Sequence, residues 1–405
     1  MGSRFLLLVL TVLAVPWAGA WPQQAGDAVR IGVLTDMSGL FSDWSGKGSV
    51  LAARMAIEDF AVIDPTLKAE LVSADHQNKP DVAASIARRW TLYEKVDAIA
   101  DVPNSAAALA VNTIARTENK VLLVSGSVTN DLTGKDCSPN TVHWTIDTWA
   151  LANGTGRAIV KSGGDSWFFL ASDFAGGRAL EQAVKMVVEA SGGKVLGSAH
   201  PALNTADFSS YLLRAQSSKA RIVGLAMSGG DLSNAVKQAA EFGVVQGGQR
   251  LAGLVVFLSD IHGLGLAATQ GLEFTEAFYW DLNDTTRAFA KRFAALNDGR
   301  YPTQVQAGVY GAVFHYLKAA AAGSDRHDGR AIVARMKAMR TRDPLFGEGE
   351  VRADGRALHD LYLFKVKSPA QSRYPWDYYE RLSTIPAAVA FRPLTAGGCP
   401  LVASE

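Results

Sequence analysis

Apolar and polar positions alternate in two different periods along this chain. Val29-Arg30-Ile31-Gly32-Val33-Leu34 is a short, near-continuous apolar run, as expected of a strand buried on both faces of a parallel sheet. A polar, Gly-rich loop follows from Asp36 to Gly48, and then Val50, Ala53, Ile57 and Phe60 recur at helical spacing on one face. The same unit repeats. Further strands are predicted at 69–73, 96–100, 120–124, 166–170, 194–197, 221–226 and 251–257. Helices are predicted between them at 81–93, 105–117, 148–161, 177–190, 209–218 and 231–242. Strands separated by helices of this length imply crossover units and a parallel sheet covered on both faces, a doubly wound α/β protein.

The pattern breaks twice. A polar stretch runs from Ser125 to Trp144 and ends in His143-Trp144-Thr145-Ile146-Asp147. After Gly271 come a strand pattern at 272–280, long helices at 285–296, 303–321 and 329–339, and a β segment at 359–367. Two sheets with helices left over suggest two lobes that share late elements, with hinges near Asp147, Leu272 and Pro344. The expected division is 21–146 plus 273–343 for the N-terminal lobe, 147–272 plus 344–395 for the C-terminal lobe, and a tail at 396–405. The aromatic run Tyr374-Pro375-Trp376-Asp377-Tyr378-Tyr379 reads as a strap committed to core packing.

The first twenty residues stand apart: Arg4, an apolar stretch from Phe5 to Val15, and the small-x-small pattern Ala18-Gly19-Ala20. They read as an export signal, too short to span a membrane, with the mature chain beginning at Trp21 in the periplasm. The full chain of 405 residues carries 40 basic and 39 acidic side chains, so no charge excess points to nucleic acid or an anionic surface. Its two cysteines, Cys137 and Cys399, suggest a disulfide in an oxidising compartment, with buried free thiols or a metal site as alternatives.

Catalytic patterns are scarce. There is no G-x-S-x-G elbow, Gly46-Lys47-Gly48 is only a fragment of a phosphate loop, and the seven histidines lack metal-ligand spacing. No metal, cofactor or catalytic residue is expected. Ligands in such sheets bind beyond the carboxyl ends of the strands, where Ser38, Ser42, Asp43 and Trp44 fall. Loops without a nucleophile, base or metal cage favour binding over catalysis.

Several stretches in order resemble one family. They are 29–60, LVSADHQNKPDVAASIARRW (71–90), DVPNSAAALAV (101–111), SGSVTNDLTGKDCSPNTVHW (125–144), WFFLASDFAGGRALE (167–181), 197–220, VGLAMSGGDLSNAVKQAAEFG (223–243), HDLYLFKVK (359–367) and PWDYYERLSTIP (375–386). They are similar to the type I periplasmic solute-binding proteins of ABC importers, the leucine/isoleucine/valine-binding family. The resemblance implies two α/β lobes joined by three crossings, a solute held between them, an inner-membrane ABC permease as partner and a monomer. Position by position it implies ligand contacts from Met37, Ser38, Ser42 and Asp43 in the first loop, Asn104 and Ser105 after the third strand, and Ser125, Gly126 and Ser127 after the fourth. The second lobe would add Phe174, Met227, Gly229, Ser259 and Asp260, with Trp149 and Tyr279-Trp280 as cleft walls. Asp260 stands near where amino-acid binders hold an ammonium group. The apolar Phe174, Met227 and Trp149 suit an aromatic, hydroxycinnamate-type acid first and an aliphatic amino acid second. A periplasmic partner of a membrane sensor and a secreted hydrolase using Asp43, Asp147 or Asp260 are the rival readings.

Overall fold

A computed structural model describes residues 28–402; the predicted export signal and its cleavage site lie outside the described residues. The chain builds two α/β halves. In the first, β1 (Val29–Thr35), β2 (Ala69–Asp75), β3 (Ala98–Asp101), β4 (Val121–Val124) and β5 (Thr141–His143) form a parallel sheet in the order β2-β1-β3-β4-β5. The apolar runs are explained by burial on both faces. Val29, Ile31 and Val33 meet Ala52, Ala56 and Phe60 of the helix Gly46–Ile63. Leu34, Ile99 and Leu122 face Ala87 and Trp90 of the helix Pro80–Leu92 and Val111 of the helix Ser105–Thr117.

In the second half, β6 (Ser166–Ala171), β7 (Lys194–Ala199), β8 (Ile222–Ala226), β9 (Arg250–Gly253) and β10 (Glu273–Glu276) are parallel. A hairpin, β11 (Glu350–Val351) with β12 (Ala357–Leu358), stands separately, and β13 (Leu361–Val366) and β14 (Tyr379–Ile385) complete the second sheet as antiparallel edge strands. Its order is β14-β13-β10-β9-β8-β6-β7. Alternate residues of β8 serve opposite cores: Ile222 and Ala226 face Val184 and Val188 of the helix Ala175–Ala190, whereas Val223 and Leu225 face Leu232 and Val236 of the helix Gly229–Glu241.

Several expectations need correction. Residues 273–276 lie inside the second sheet, so the return to the first half follows β10 instead of preceding it. Ala277 N then donates to Gln304 Oε1 at 2.8 Å, where the helix Gln304–Ala321 begins. The last return is also later than Pro344. The β11–β12 hairpin leans on the first half, through a bridge between His143 and Arg356 and a bond from His143 N to Gly355 O at 2.9 Å. The predicted strand 251–257 ends at Gly253, and residues 258–264 turn helical. β5 is too short and polar to read as a strand, and β14 begins at Tyr379, the last residue of the aromatic run, where no strand was predicted.

The crossings share one buried polar network. Arg356 is fully buried, with Nη1 3.4 Å from Asp147, Nη2 donating to Thr145 O at 2.6 Å and Nε to Ala357 O at 3.1 Å. Burial pulls its pKa down to about 10 despite the Asp147 charge. His359 Nε2 bonds Trp144 O at 2.8 Å, and burial lowers its pKa to about 4. Gly308 lets the helix Gln304–Ala321 pack on this crossing, since a Cβ there would sit 2.2 Å from Thr145.

Candidate functional site

The ends of β1, β2 and β3 shape the first loop. Buried Asp36 accepts the amides of Gly39 at 2.8 Å and Phe41 at 3.0 Å, which curls the loop back on itself. Asp75 receives Met37 N at 3.0 Å and Ser38 Oγ at 2.6 Å. Buried Asp101 accepts the hydroxyls of Thr35 at 2.8 Å and Ser45 at 2.6 Å, and desolvation raises its pKa. Thr303 Oγ1 donates to Trp44 O at 2.7 Å, and Gln306 Nε2 to Ser45 O at 3.1 Å. Side chains spent on backbone groups hold this loop, so its shape exists before any solute arrives.

Against the loop lies a cleft of about 430 Å³ between the halves. The first half supplies Met37, Ser42, Asp43 and Lys47; the second supplies Ser259, His262, Gly263 and Trp376. The turn before the helix Gln304–Ala321 closes the side with Arg300, Tyr301 and Thr303. His262 stacks on Trp376 with ring centres 3.8 Å apart and planes 8° apart, and its Nδ1 lies 2.9 Å from Tyr378 Oη. Burial, and then the Arg300 charge, lower its pKa. Arg300 and Asp43 pair at 3.5 Å, but both are exposed, so the pair contributes no more than about 1 kcal/mol.

Behind the cleft the halves touch. Trp44 stacks on Phe257 at 4.5 Å and 17°, with Val305 completing a buried apolar cluster that Phe41 and Val255 flank. Farther along, Gly229 has φ +59° and faces Leu40, 2.8 Å from where a Cβ would stand. Only glycine combines that backbone with so close an approach.

Asp260 begins the helix Leu258–Leu264 by accepting Phe257 N at 2.9 Å. Its side chain is turned inward, and desolvation lifts its pKa to about 7, opposed by the Phe257 amide and helped by the Asp43 charge. The fully buried Glu276 is pushed well above the carboxylate range by desolvation and then by Asp260, and its Oε1 has no hydrogen-bond partner. Ser259 Oγ, beside the cleft, is likewise buried without a partner.

Of the expected site residues, Met37, Ser42, Asp43 and Ser259 line this cleft, and Ser38 and Asp260 adjoin it in sequence. The rest divide among other tasks. Asn104 caps the helix Ser105–Thr117 through Ala107 N at 2.9 Å and reaches Asn78 Oδ1 at 2.6 Å. Ser127 Oγ donates to Ser105 Oγ at 3.2 Å. Ser125 is buried with its hydroxyl unpaired, while its carbonyl takes the Thr145 hydroxyl. Gly126 abuts Pro103, 2.8 Å from an added Cβ. Trp149 is half-buried near Asn130, whose Oδ1 accepts its amide at 3.0 Å. Phe174 is 43% exposed at the start of the helix Ala175–Ala190. Met227 and Tyr279 are taken up by the core instead of the cleft, Tyr279 donating from Oη to Trp376 O at 2.7 Å. Among the described residues no group of three or more His, Cys, Asp or Glu side chains could hold a metal ion.

Lys47, His262, Arg300, Tyr301 and Trp376 were not anticipated as cleft residues. Trp376 belongs to the strap expected to pack only in the core, and it does both, with φ +67° at the bend that turns its ring toward His262. The one local signal was Thr303 followed by Gln306, a capping box that announces the helix start on the cleft's edge.

A family model described as periplasmic binding protein matches residues 28–372. The chain belongs to the periplasmic binding protein family. A periplasmic binding protein from Burkholderia mallei is 45% identical over 93% of this chain and 99% of its own, with a TM-score of 0.85. A branched chain amino acid ABC transporter periplasmic ligand-binding protein from Burkholderia xenovorans is 38% identical over 92% of this chain and 99% of its own, at a TM-score of 0.87. A solute-binding protein of an ABC transporter from Rhodopseudomonas palustris, solved with 3,4-dihydroxy benzoic acid, is 21% identical over 89% and 98%, at 0.78, and shares the fold. Among curated proteins nothing matches. Family membership agrees with the resemblance read from the ordered stretches, and no helix among the described residues is long and apolar enough to cross a membrane.

Proposed function

We propose that this protein is the extracytoplasmic solute receptor of an ABC importer, which captures a small carboxylate between its halves and releases it unchanged to a permease. The observation that carries this reading is the cleft of about 430 Å³ walled by both halves, a volume within the range of small-molecule sites. A solute that touches both walls binds the closed arrangement better than the open one, and only such differential affinity shifts the population. The crossings form the hinge.

An aromatic acid is the favoured solute. The cleft offers ring faces in Trp376 and His262, with Tyr301 beside them. Stacking suits a flat ring, and Lys47, Arg300 and the Ser42 and Ser259 hydroxyls suit a carboxylate. The half-buried acid of Asp260 favours a second reading, a branched-chain or other amino acid whose ammonium would hold that group ionised.

A thermal-shift panel of benzoate, 4-hydroxybenzoate, hydroxycinnamates and branched-chain amino acids tests the proposal. A true solute at a hundredfold excess over Kd adds about 2.7 kcal/mol of stability. Stabilisation by aromatic acids alone is expected; stabilisation by amino acids alone selects the second reading, and no response from either class overturns both.

A further inference from the structure

The C-terminal tail leaves the second half and is bonded covalently to the first. β14 ends at Ile385 on the edge of the second sheet. The following turn stays with that half: Ala387 N donates to Asp360 Oδ1 at 3.0 Å, the Asn153 amide donates to Val389 O, and Ala390 and Phe391 are buried in the core with Leu361 and Ile385. Phe391 also carries the Arg356 guanidinium 4.6 Å above its ring, at the hinge.

Beyond Phe391 the tail's polar contacts change sides. Arg392 Nη2 donates to Asn130 O at 3.1 Å, and Arg352 Nη1 to Arg392 O at 2.8 Å. Gly397 O comes so near the turn at Gly134 that a Cβ there would lie 2.8 Å from it. Cys399 is then disulfide-bonded to Cys137, with Cα atoms 5.6 Å apart and a sequence separation of 262. Cys137 belongs firmly to the first half: Asp136 O accepts Asn112 Nδ2 at 2.8 Å, from inside the helix Ser105–Thr117.

We infer that the Cys137–Cys399 bond makes residues 386–399 a fourth strut between the halves, beside the three main-chain crossings, and that it limits how far the cleft opens. The polar contacts on the first-half side other than the bond are half-buried hydrogen bonds, which an opening motion could peel apart. The disulfide cannot peel. A strut that removes the widest open conformations lowers the entropy of the open ensemble and so favours closure without touching the solute. The inference rests on the hinge motion proposed above, and the experiment separates the two.

Small-angle scattering of the unliganded full chain reads the opening directly. The double variant Cys137→Ser/Cys399→Ser is expected to have a larger radius of gyration than the oxidised protein, with an unchanged far-ultraviolet circular dichroism spectrum. Should the variant fail to fold, the folded wild type is treated with dithiothreitol, which takes up the oxidation as its cyclic disulfide and leaves two thiols, and is then reoxidised. Expansion on reduction and recovery on reoxidation support the strut. A lower Tm with no change in radius of gyration, in the variant or the reduced protein, overturns it and leaves the bond a local clamp on the tail. An expanded variant whose intact parent shows no compaction with any panel solute keeps the strut and removes solute-driven closure.

Discussion

The hinge and the cleft are both polar and both built where the halves meet, yet they treat their polar groups in opposite ways. At the hinge, Arg356 is buried and spreads its donors over Asp147, Thr145 O and Ala357 O, with Phe391 beneath it. In the cleft, Lys47, Asp43 and Arg300 are exposed, and Ser259 Oγ has no partner at all. A buried group left unpaired is penalised heavily, so the hinge tolerates few arrangements. An exposed charged group is free to exchange water for a solute, and the buried Ser259 hydroxyl lacks a partner that a solute could supply. At the hinge the Arg356 donors are committed to fixed partners; in the cleft the charged side chains stay open to a solute.

The contrast breaks most easily at Arg356. Replacing it with Ala strands the Asp147 carboxylate in the hinge, with an expected loss of about 3–5 kcal/mol, read as a large fall in Tm; Arg356→Lys restores little because one ammonium cannot reach all three acceptors. A loss below 1 kcal/mol would show that the hinge network is dispensable. Next comes Trp44→Ala. It removes the stack on Phe257 that joins the halves behind the cleft, worth about 1 kcal/mol beyond its burial, and scattering should show a larger unliganded particle.

Proton linkage sharpens the comparison, because the two regions respond to pH with opposite sign. Asp260 has its folded pKa raised from 3.8 to about 7. Its contribution is complete below pH 4 and is lost as pH rises through 7, so Asp260→Asn should flatten the decline in stability over that window. His359 has its folded pKa lowered from 6.5 to about 4. Its contribution is present above 6.5 and is lost as pH falls toward 4, so His359→Gln should protect the hinge against mild acid. Denaturant titrations at several pH values check both. The smallest effect is expected from Arg300→Ala, within about 1 kcal/mol on stability, with solute affinity moving more than Tm.

Much of the architecture was legible because burial on two faces writes itself into composition. The runs at Val29–Leu34 and Arg221–Ala226 could only be interior strands, and the helix at Ser105–Thr117 was readable to the residue from its spacing. Less was legible where an element's character comes from its partners. β5 is three residues, Thr-Val-His, and is a strand only because β4 offers it an edge. β10 looked like a return to the first half, since nothing in Glu273–Glu276 tells which sheet will accept it.

The candidate site shows the same division. Sequence placed Ser42 and Asp43 in a loop at the carboxyl end of a parallel strand, and topology obliges that loop to face the other half. It also raised the pairing of Cys137 with Cys399, two thirds of a chain apart. It gave no sign that His262 would lie flat on Trp376, or that Met227 and Tyr279 would be drawn into the core. Local periodicity determines which residues must leave water, and this is a property of neighbours along the chain. Which side chains then meet across a gap depends on how the two sheets are set against each other, a distance relation that no stretch of the chain contains by itself.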